Sequence, residues 1–336
     1  MSALIEQYDA LVCDLDGVVY RGPEAVPHAV ESLNGAQASG VRIAYATNNA
    51  SRPPADVAQH LRELGLDAQD DSVINSSMAG ASYLADHAKA GDTVLAVGGA
   101  GVGLALRAQG FDVVSELPTD KRVMAVLQGY GPAVTANDLA QAAYAIQSGA
   151  LWVATNTDLT LPTAIGTAPG NGSLVGAVRN AVDRDPVVVG KPGPLMYVMA
   201  AEHLGSAPHR TLGIGDRLET DVAGAAAAGM DCLHVLTGVH GPSDLVSAPP
   251  QLRPRFVAED LRSLAQQYCE PQRRDGWWMI GDAGCRMSKD GQYALEWHGQ
   301  PVGVERLRLA LPTLWGTIDD GKIGLEQAVT TWMTSQ

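Results

Sequence analysis

Basic residues and cysteines are scarce in this sequence. Its 336 residues include 23 Lys and Arg against 37 Asp and Glu, which leaves a formal net charge of −14. A field of that sign repels the phosphates of nucleic acids and of anionic lipids, so neither is expected as a partner. No CxxC pair occurs, which argues against a zinc knuckle, a redox motif or a disulfide framework and favours a reducing compartment. The four cysteines lie far apart, as Cys13, Cys232, Cys269 and Cys285.

Long apolar runs and several catalytic signatures are also missing. No run reaches the roughly 18 apolar residues of a membrane span. The N-terminus carries Glu6, Asp9 and Asp14 where a secretory signal needs a basic head and an uninterrupted apolar stretch. The eight histidines form no HExxH motif or zinc-spaced cluster, and there is no GxSxG elbow of a serine hydrolase. We therefore expect a soluble, cytoplasmic protein.

The sequence that remains is typical of an α/β fold. A prior of roughly 150 residues per domain predicts about two domains. From Ala10 onward, short β-branched runs alternate with Ala/Leu-rich amphipathic stretches, the pattern of βαβ units around a parallel sheet. Helices are predicted at about residues 25–39 and after Asp216. Buried strands are predicted for ALVC (10–13), VRIAYA (41–46), VVV (187–189) and TLGIG (211–215). The predicted fold is a Rossmann-like parallel sheet core.

The spacing of these strands predicts an inserted domain. Asp16 and Thr47 are 31 positions apart, enough for one crossover helix, whereas Thr47 and Lys191 are 144 positions apart. A crossover needs roughly a dozen residues, so the excess indicates a separate α/β domain at 80–185 inside a core of 1–79 and 186–268. The insert has predicted strands at 93–97, 123–128 and 150–155 and predicted helices near 102–109 and 135–148.

The composition changes near the C-terminus. A last core strand and helix are predicted near 255–267. Five of the six tryptophans then fall within residues 270–336, which a disordered tail would not carry. GWWMIG and YALEW are predicted strands, and GLEQAVTTWM is a predicted helix. We expect a small folded domain at 270–336 that packs against the main body.

Polar side chains follow each of the four core strands. In an open parallel sheet, ligands bind outside the carboxyl ends of the strands. Four carboxylates gathered there would repel one another unless a cation held them, and an all-oxygen donor set favours Mg²⁺ together with a phosphate oxygen. Taken alone, Asp221 is more simply explained as the cap of the Ala-rich helix. The strand-end residues are Asp14, Asp16, Thr47, Lys191, Asp216 and Asp221.

Four segments resemble the motifs of the haloacid dehalogenase superfamily: DLDGVVY (14–20), ATNNASRP (46–53), VVVGKPGP (187–194) and GIGDRLETDVAGAAAAGM (213–230). Over about residues 8–267 the chain resembles the subfamily with an α/β cap between the second and third motifs. That subfamily includes 4-nitrophenylphosphatases, phosphoglycolate phosphatases, pyridoxal phosphatases and glycerol-3-phosphate phosphatases. The appended tail is similar to that of actinobacterial glycerol-3-phosphate phosphatases, which is described as acetyltransferase-like. No RxxGxG loop for acetyl-CoA occurs in it.

The resemblance implies a role for each strand-end residue. Asp14 would be the nucleophile and Asp16 the general acid and base. Because dehalogenases of the superfamily lack an acid at the position of Asp16 and P-type pumps carry Thr there, Asp16 indicates a phosphate ester. Mg²⁺ would be held by the carboxylates of Asp14 and Asp216 and the main-chain carbonyl of Asp16, with Asp221 orienting that shell. The phosphoryl group would be bound by Thr47, Asn48 and Lys191.

Substrate choice is expected to lie in the cap. By resemblance the specificity loop runs from about Asn156 to Pro169, and it lacks the His that pyridoxal phosphatases place there. Its candidate residues are Asn156, Asp158, Thr160 and Leu161. The predicted function is a Mg²⁺-dependent phosphatase for a small phosphate monoester, with glycerol 3-phosphate ahead of phosphoglycolate or a broad 4-nitrophenyl-type range. A metabolite-sensing module that signals through the tail is the alternative of another class. The sequence does not decide whether the protein forms a homodimer.

Overall fold

The computed structural model describes residues 3–163, 165–288 and 293–335, and the chain divides into two compact units. Unit 1 comprises Met1–Arg21, Ala25–Arg42 and His209–Gln336, and unit 2 comprises Gly22–Glu24 and Ile43–Pro208. No helix among the described residues is both long enough and apolar enough to cross a bilayer.

Strands are distributed along the whole described chain. They are β1 (Ala10–Cys13), β2 (Tyr20–Arg21), β3 (Glu24–Ala25), β4 (Arg42–Thr47), β5 (Val73–Asn75), β6 (Thr93–Val97), β7 (Asp112–Val114), β8 (Ala125–Gln128), β9 (Leu151–Ala154), β10 (Thr160–Thr163), β11 (Gly166–Pro169), β12 (Val187–Val188), β13 (Thr211–Gly215), β14 (Asp231–Val235), β15 (Phe256–Ala258), β16 (Gln272–Arg274), β17 (Trp277–Ile280), β18 (Ala283–Met287) and β19 (Leu295–His298).

Helices alternate with most of these strands. They are α1 (Ala29–Ala38), α2 (Pro54–Glu63), α3 (Ser76–Ala85), α4 (Ala100–Ala108), α5 (Ala136–Gln147), α6 (Asn171–Arg179), α7 (Leu195–His203), α8 (Ala223–Ala227), α9 (Pro242–Val246), α10 (Gly303–Asp319) and α11 (Leu325–Thr334). Short 3₁₀ helices occupy Leu4–Gln7, Asp70–Ser72, Pro208–Arg210, Pro250–Leu252 and Leu261–Ala265, and a π-helical turn spans Leu218–Val222.

Unit 1 contains four parallel strands side by side in the order β15, β14, β13 and β1. Every residue of β1 and β13 is buried, as expected for a parallel sheet covered on both faces. The register pairs Cys13 with Ile214. The residues that directly follow β1 and β13 therefore leave the sheet at the same edge.

The C-terminal residues of unit 1 form an antiparallel sheet, β16-β17-β18-β19, that packs against α10. Trp315 of α10 donates its indole N–H to the carbonyl of Leu245, 2.8 Å away. Two nitrogens of the Arg253 guanidinium pair with the Asp319 carboxylate at 2.5 and 2.7 Å. This segment is thus bonded to the loop and helix that follow β14.

Unit 2 holds a second parallel sheet in the order β12, β9, β8, β6 and β7, together with the parallel pair β4 and β5. Its core surrounds the buried Trp152, with Val126, Ile146 and Val175 among the residues around it. The sequence explains where α5 begins: the Thr135 hydroxyl accepts from the Asp138 N–H, and the Asp138 carboxylate accepts from the Thr135 N–H. This reciprocal capping satisfies two donors that a helix start otherwise leaves unpaired.

Two sequence-based expectations need correction, and one helix was not expected. The predicted buried strand at 187–189 is a two-residue strand with one exposed valine, Val188, and it pairs with β9 of the second sheet. A run of three valines predicts a strand, but it does not determine which sheet that strand joins. The predicted helix near the end of 255–267 is a 3₁₀ turn, Leu261–Ala265. The 17-residue helix α10 was not predicted, because Pro312 inside it is a residue that usually ends a helix.

The buried His234 of β14 predicts a loss of stability in mild acid. Its Nε2 donates to the His240 carbonyl at 2.9 Å, and its Nδ1 has no hydrogen-bond partner among the described groups. Burial lowers the pKa of His234 below its ordinary value of 6.5. Below that pH the unfolded chain binds a proton that the folded protein resists, so the free energy of unfolding should fall as the pH decreases.

Urea unfolding at pH 7.5 and 5.5 measures this effect. The matched variant is His234→Gln, whose amide can still donate to the carbonyl of His240 but does not titrate. We expect the loss of stability between the two pH values to be smaller in the variant than in the wild-type protein. Equal losses in both proteins would show that His234 does not contribute.

Candidate active site

Three carboxylates meet at the carboxyl ends of β1 and β13 in unit 1. One oxygen each from Asp14, Asp216 and Asp221 lies within 4.8 Å of the other two. Asp14 and Asp216 are the first residues after two paired parallel strands, and Asp221 follows on the π-helical turn. Asp216 and Asp221 are buried and Asp14 is half-buried. These three residues are called the acidic cluster below.

Main-chain donors and glycines fix the acidic cluster. Asp216 Oδ2 accepts from the Val239 N–H at 2.6 Å, and Asp221 Oδ2 accepts from the Arg217 N–H at 3.1 Å. A Cβ on Gly238 would lie 1.8 Å from Asp216 Oδ2, and one on Gly215 would lie 2.1 Å from the Cβ of Asp221. Only glycine leaves room for the two carboxyl groups at these positions.

Sequence reasoning did not identify Gly238, although the sequence carried a signal. The residue lies in the Thr-Gly pair just beyond β14, which is itself a neighbour of β13 in the sheet. A glycine at the carboxyl end of a parallel strand permits close approach of another group to the backbone. Here that group is the carboxylate of Asp216.

Asp16 contributes no carboxylate oxygen to the acidic cluster. Its side chain is exposed, and its main chain forms an isolated bridge with Tyr20. Gly17 follows it with a φ of +87°, a conformation that suits glycine, and its N–H donates to the carbonyl of Tyr20 at 2.9 Å. This turn reverses the chain directly after β1 and places Asp16 at the surface of unit 1.

The acidic cluster fits a hard divalent cation. Buried carboxylates at this separation destabilise one another unless positive charge balances them. All of the nearby donor atoms in the cluster are carboxylate oxygens, the ligands that Mg²⁺ and Ca²⁺ prefer. Two observations thus support a divalent cation at this site: Asp216 and Asp221 are buried, and the atoms that they offer are carboxylate oxygens.

The predicted phosphate-binding residues come together within unit 2. Thr47 is the last residue of β4 and is buried. The buried Lys191 ammonium donates to the carbonyl of Ala46, 3.1 Å away, at the end of the same strand. Asn48 Oδ1 accepts from the Lys191 N–H at 2.8 Å, while Asn48 Nδ2 donates to the Lys191 carbonyl at 3.1 Å. Asn48 thus binds the main chain of Lys191 through both polar atoms of its amide.

The predicted specificity loop also contacts Asn48. Asn156 Nδ2 donates to the Asn48 carbonyl at 2.8 Å, and Asp158 Oδ2 accepts from Asn48 Nδ2 at 3.3 Å. Thr160 and Leu161 lie farther along, on β10 of the β10-β11 hairpin, where Thr160 is exposed and Leu161 half-buried. Ala164 of this loop lies outside the described residues. The structure therefore brings two of the four loop residues to Asn48.

Comparison with known proteins decides the family. Residues 11–112 match the model of the haloacid dehalogenase-like hydrolases, and residues 188–264 match a second, similarly described hydrolase model. The chain is 43% identical over 266 residues to D-glycerol 3-phosphate phosphatase of Mycobacterium tuberculosis, covering 79% of this chain and 73% of that protein. This chain belongs to the haloacid dehalogenase-like hydrolases. The Staphylococcus aureus acid sugar phosphatase is 33% identical over 257 residues, which is 76% of this chain and 96% of that one.

Solved structures of this hydrolase family share the fold. A glycerol phosphate phosphatase from Mycobacterium tuberculosis, solved in complex with magnesium, superposes with a TM-score of 0.82 at 38% identity, covering 94% of this chain and 93% of that one. The 4-nitrophenylphosphatase of Thermotoga maritima gives 0.71 at 28% identity, covering 78% and 98%. These matches confirm the predicted family, the α/β fold class and the enzyme class, a phosphoric monoester hydrolase.

Proposed function

We propose that this hydrolase is a Mg²⁺-dependent phosphatase that hydrolyses a small phosphate monoester, with glycerol 3-phosphate as the first candidate substrate. The observation that carries the proposal is the acidic cluster, three carboxylates within 4.8 Å at the ends of adjacent parallel strands. Support for the substrate comes from the relative named D-glycerol 3-phosphate phosphatase and its 43% identity. Phosphoglycolate and 4-nitrophenyl phosphate are the next candidates.

The metal would be held by the carboxylates of Asp14 and Asp216 and the main-chain carbonyl of Asp16. Asp221, whose Oδ2 is bound by the Arg217 N–H at 3.1 Å, would orient this shell. When bound, Mg²⁺ would neutralise negative charge on the phosphoryl oxygens.

Asp14 would be the nucleophile. Its carboxylate attacks phosphorus, so that a bond from Asp14 to phosphorus forms while the bond to the leaving alkoxide oxygen breaks. The product is an aspartyl phosphate on Asp14. The main chain of this residue is held by its N–H, which donates to the Ile214 carbonyl at 2.9 Å. A fixed backbone limits the positions from which the carboxylate can attack.

Asp16 would transfer the protons. In the first step its carboxylic acid protonates the departing alkoxide oxygen. In the second step its carboxylate takes a proton from the water that attacks phosphorus, which releases inorganic phosphate and restores Asp14. The exposed position of Asp16 suits both steps, because the residue can exchange protons with solvent.

The phosphoryl group would be bound by Thr47, Asn48 and Lys191, with the Lys191 ammonium supplying positive charge. Since the transition state of phosphoryl transfer is loose, positioning and charge neutralisation provide most of the acceleration. The rest of the substrate would be recognised by the cap residues Asn156, Asp158, Thr160 and Leu161. The contacts of Asn156 and Asp158 with Asn48 support this assignment for those two residues.

Several coarser predictions belong to the same proposal. The core would comprise 1–79 and 186–268, the cap 80–185 and the C-terminal domain 270–336. The protein would act in the cytoplasm on a small phosphate ester, without nucleic acid or membrane as a partner, and a homodimer stays open. Gel filtration with light scattering measures the oligomeric state.

A turnover screen tests the proposed function. We expect glycerol 3-phosphate to give the highest kcat/KM among phosphorylated metabolites that include phosphoglycolate, with 4-nitrophenyl phosphate as a general reference. EDTA should abolish turnover because the acidic cluster then lacks its cation, and excess Mg²⁺ should restore it. Full activity in EDTA, or no turnover of any ester with Mg²⁺ present, would contradict the proposal.

A further inference from the structure

A chain of hydrogen bonds in unit 2 runs from the interior of the second sheet to Lys191. It begins at Gln128, the last residue of β8, whose Oε1 accepts from the Trp152 indole N–H at 3.0 Å. Asn171, the first residue of α6, donates through Nδ2 to the Gln128 carbonyl at 3.4 Å and to the Asn156 carbonyl at 2.7 Å. The second of these bonds is short and joins the start of α6 to the predicted specificity loop.

The chain continues from Asn156 to Lys191. The Asn156 amide donates to the Asn48 carbonyl, and the Asn48 side chain holds both the N–H and the carbonyl of Lys191. A Cβ on Gly190 would lie 2.7 Å from Asn48 Oδ1 and 2.2 Å from the Thr155 carbonyl, so the segment before Lys191 is packed against the same groups. A displacement of Asn156 would therefore move Asn48 and, with it, Lys191.

The beginning of this chain is buried and only partly satisfied. Asn171 is 1% exposed and Gln128 is fully buried. Asn171 Oδ1, Gln128 Nε2 and Thr155 Oγ1 have no hydrogen-bond partner among the described groups. Buried polar atoms without partners cost stability. An apolar side chain at 128 would remove the acceptor of the Trp152 indole N–H, and one at 171 would remove both bonds that Asn171 donates.

We propose that Asn171 is a positioning residue for phosphate binding, acting through Asn156 and Asn48 on Lys191. The inference rests on the proposed function, in which Asn48 and Lys191 bind the phosphoryl group. Asn171 does not contact substrate in this account. Its Nδ2 holds the main chain of Asn156, and the effect on phosphate follows from the bonds beyond it.

Asn171→Ala removes both donated bonds and tests the proposal. We expect kcat/KM to fall about tenfold or more for glycerol 3-phosphate and for 4-nitrophenyl phosphate alike, since small misplacements of binding groups lower rates steeply. The loss should be equal for both esters, because the phosphoryl group is common to them. The Kd for inorganic phosphate, measured by titration calorimetry with Mg²⁺ present, should rise by a similar factor.

Val178→Ala is the matched control. Val178 lies on the same helix and is buried in the apolar core of the second sheet, without a polar link to Asn156. We expect this variant to lose thermal stability while keeping the wild-type kcat/KM and phosphate Kd. If Asn171→Ala does not fold, Asn171→Ser, which keeps a small polar group at the start of α6, replaces it with the same expected result.

The outcomes separate this inference from the proposed function. Wild-type values of kcat/KM and phosphate Kd in the Asn171 variant, or losses as large in Val178→Ala, would overturn the positioning role and leave the phosphatase assignment intact. A wild-type protein that binds phosphate without hydrolysing any ester would overturn the phosphatase assignment, while weaker binding in the variant would still support the role of Asn171. A wild-type protein that neither hydrolyses any ester nor binds phosphate would overturn both proposals.

Discussion

Asp14→Asn should reduce phosphatase turnover by about 10³-fold or more, because an amide cannot form the bond to phosphorus that the Asp14 carboxylate forms. The side chains have nearly the same size and shape, so the variant should fold. We expect its circular dichroism spectrum to match that of the wild-type protein. Turnover of 4-nitrophenyl phosphate at saturating Mg²⁺ measures the effect, and quenched reactions should contain no phosphorylated protein.

Glu6→Gln controls for the loss of one negative charge in the same segment. Glu6 lies on the short 3₁₀ helix before β1 and is exposed. This variant should keep wild-type turnover. If Asp14→Asn retained turnover within tenfold of wild type, or if phosphorylated protein still formed, Asp14 would not be the nucleophile.

The positions of the acidic residues could be predicted because they follow from strand topology. Asp14 and Asp216 each follow a short apolar run, and parallel strands end at a common edge. The register that pairs Cys13 with Ile214 confirms that those two runs lie side by side. Asp221 was open to the alternative of a helix cap. Its place in the acidic cluster depends on the π-helical turn Leu218–Val222, a local geometry that an Ala-rich helical pattern does not indicate.

Other features depend on contacts between distant segments, and these could not be predicted. Asn171 lies within the predicted inserted domain at 80–185, but its bonds to Gln128 and Asn156 join residues 43 and 15 positions away. The valines at 187–188 have the composition of a core strand, yet they pair with β9. Side-chain composition specifies that a segment is extended and apolar, whereas the neighbour that it pairs with is decided by the competition among all available strands.

Glycines have different roles in the two units. In unit 1, glycines make room for carboxylates, since a Cβ on Gly17 would lie 2.6 Å from Asp216 Oδ2. In unit 2, glycines at the start of α6 make room for the predicted specificity loop. A Cβ on Gly170 would lie 2.3 Å from the carbonyl of Asp158, and one on Gly172 would lie 2.2 Å from the carbonyl of Thr157. The backbone at Gly170 and Gly172 packs closely against the loop. Residues outside the loop therefore help to determine its shape.

Gly238→Ala should weaken metal binding by about 10- to 100-fold, the range found when groups that orient a metal ligand are altered. A methyl group at this position would overlap Asp216 Oδ2 and would also disturb the bond from the Val239 N–H. Either the Asp216 carboxylate must then rotate or the backbone at 238 must shift, and both changes alter the geometry of the acidic cluster. Metal binding by the acidic cluster depends on all three residues. We therefore expect the variant to lose more free energy of Mg²⁺ binding than free energy of unfolding.

Gly241→Ala is the matched control for this prediction, because a Cβ there meets nothing within 4 Å and its φ of −102° is open to alanine. Ligand binding to the folded state raises the free energy of unfolding by RT ln(1 + [L]/Kd), so thermal unfolding across a Mg²⁺ titration gives the affinity without reference to catalysis. Gly238→Ala should need the higher Mg²⁺ concentration both for its rise in Tm and for half-maximal turnover, while Gly241→Ala should match the wild-type protein in both. Equal Mg²⁺ requirements in the two variants would mean that Gly238 does not determine where the Asp216 carboxylate lies, and the account of the acidic cluster as a metal site shaped by its glycines would be wrong.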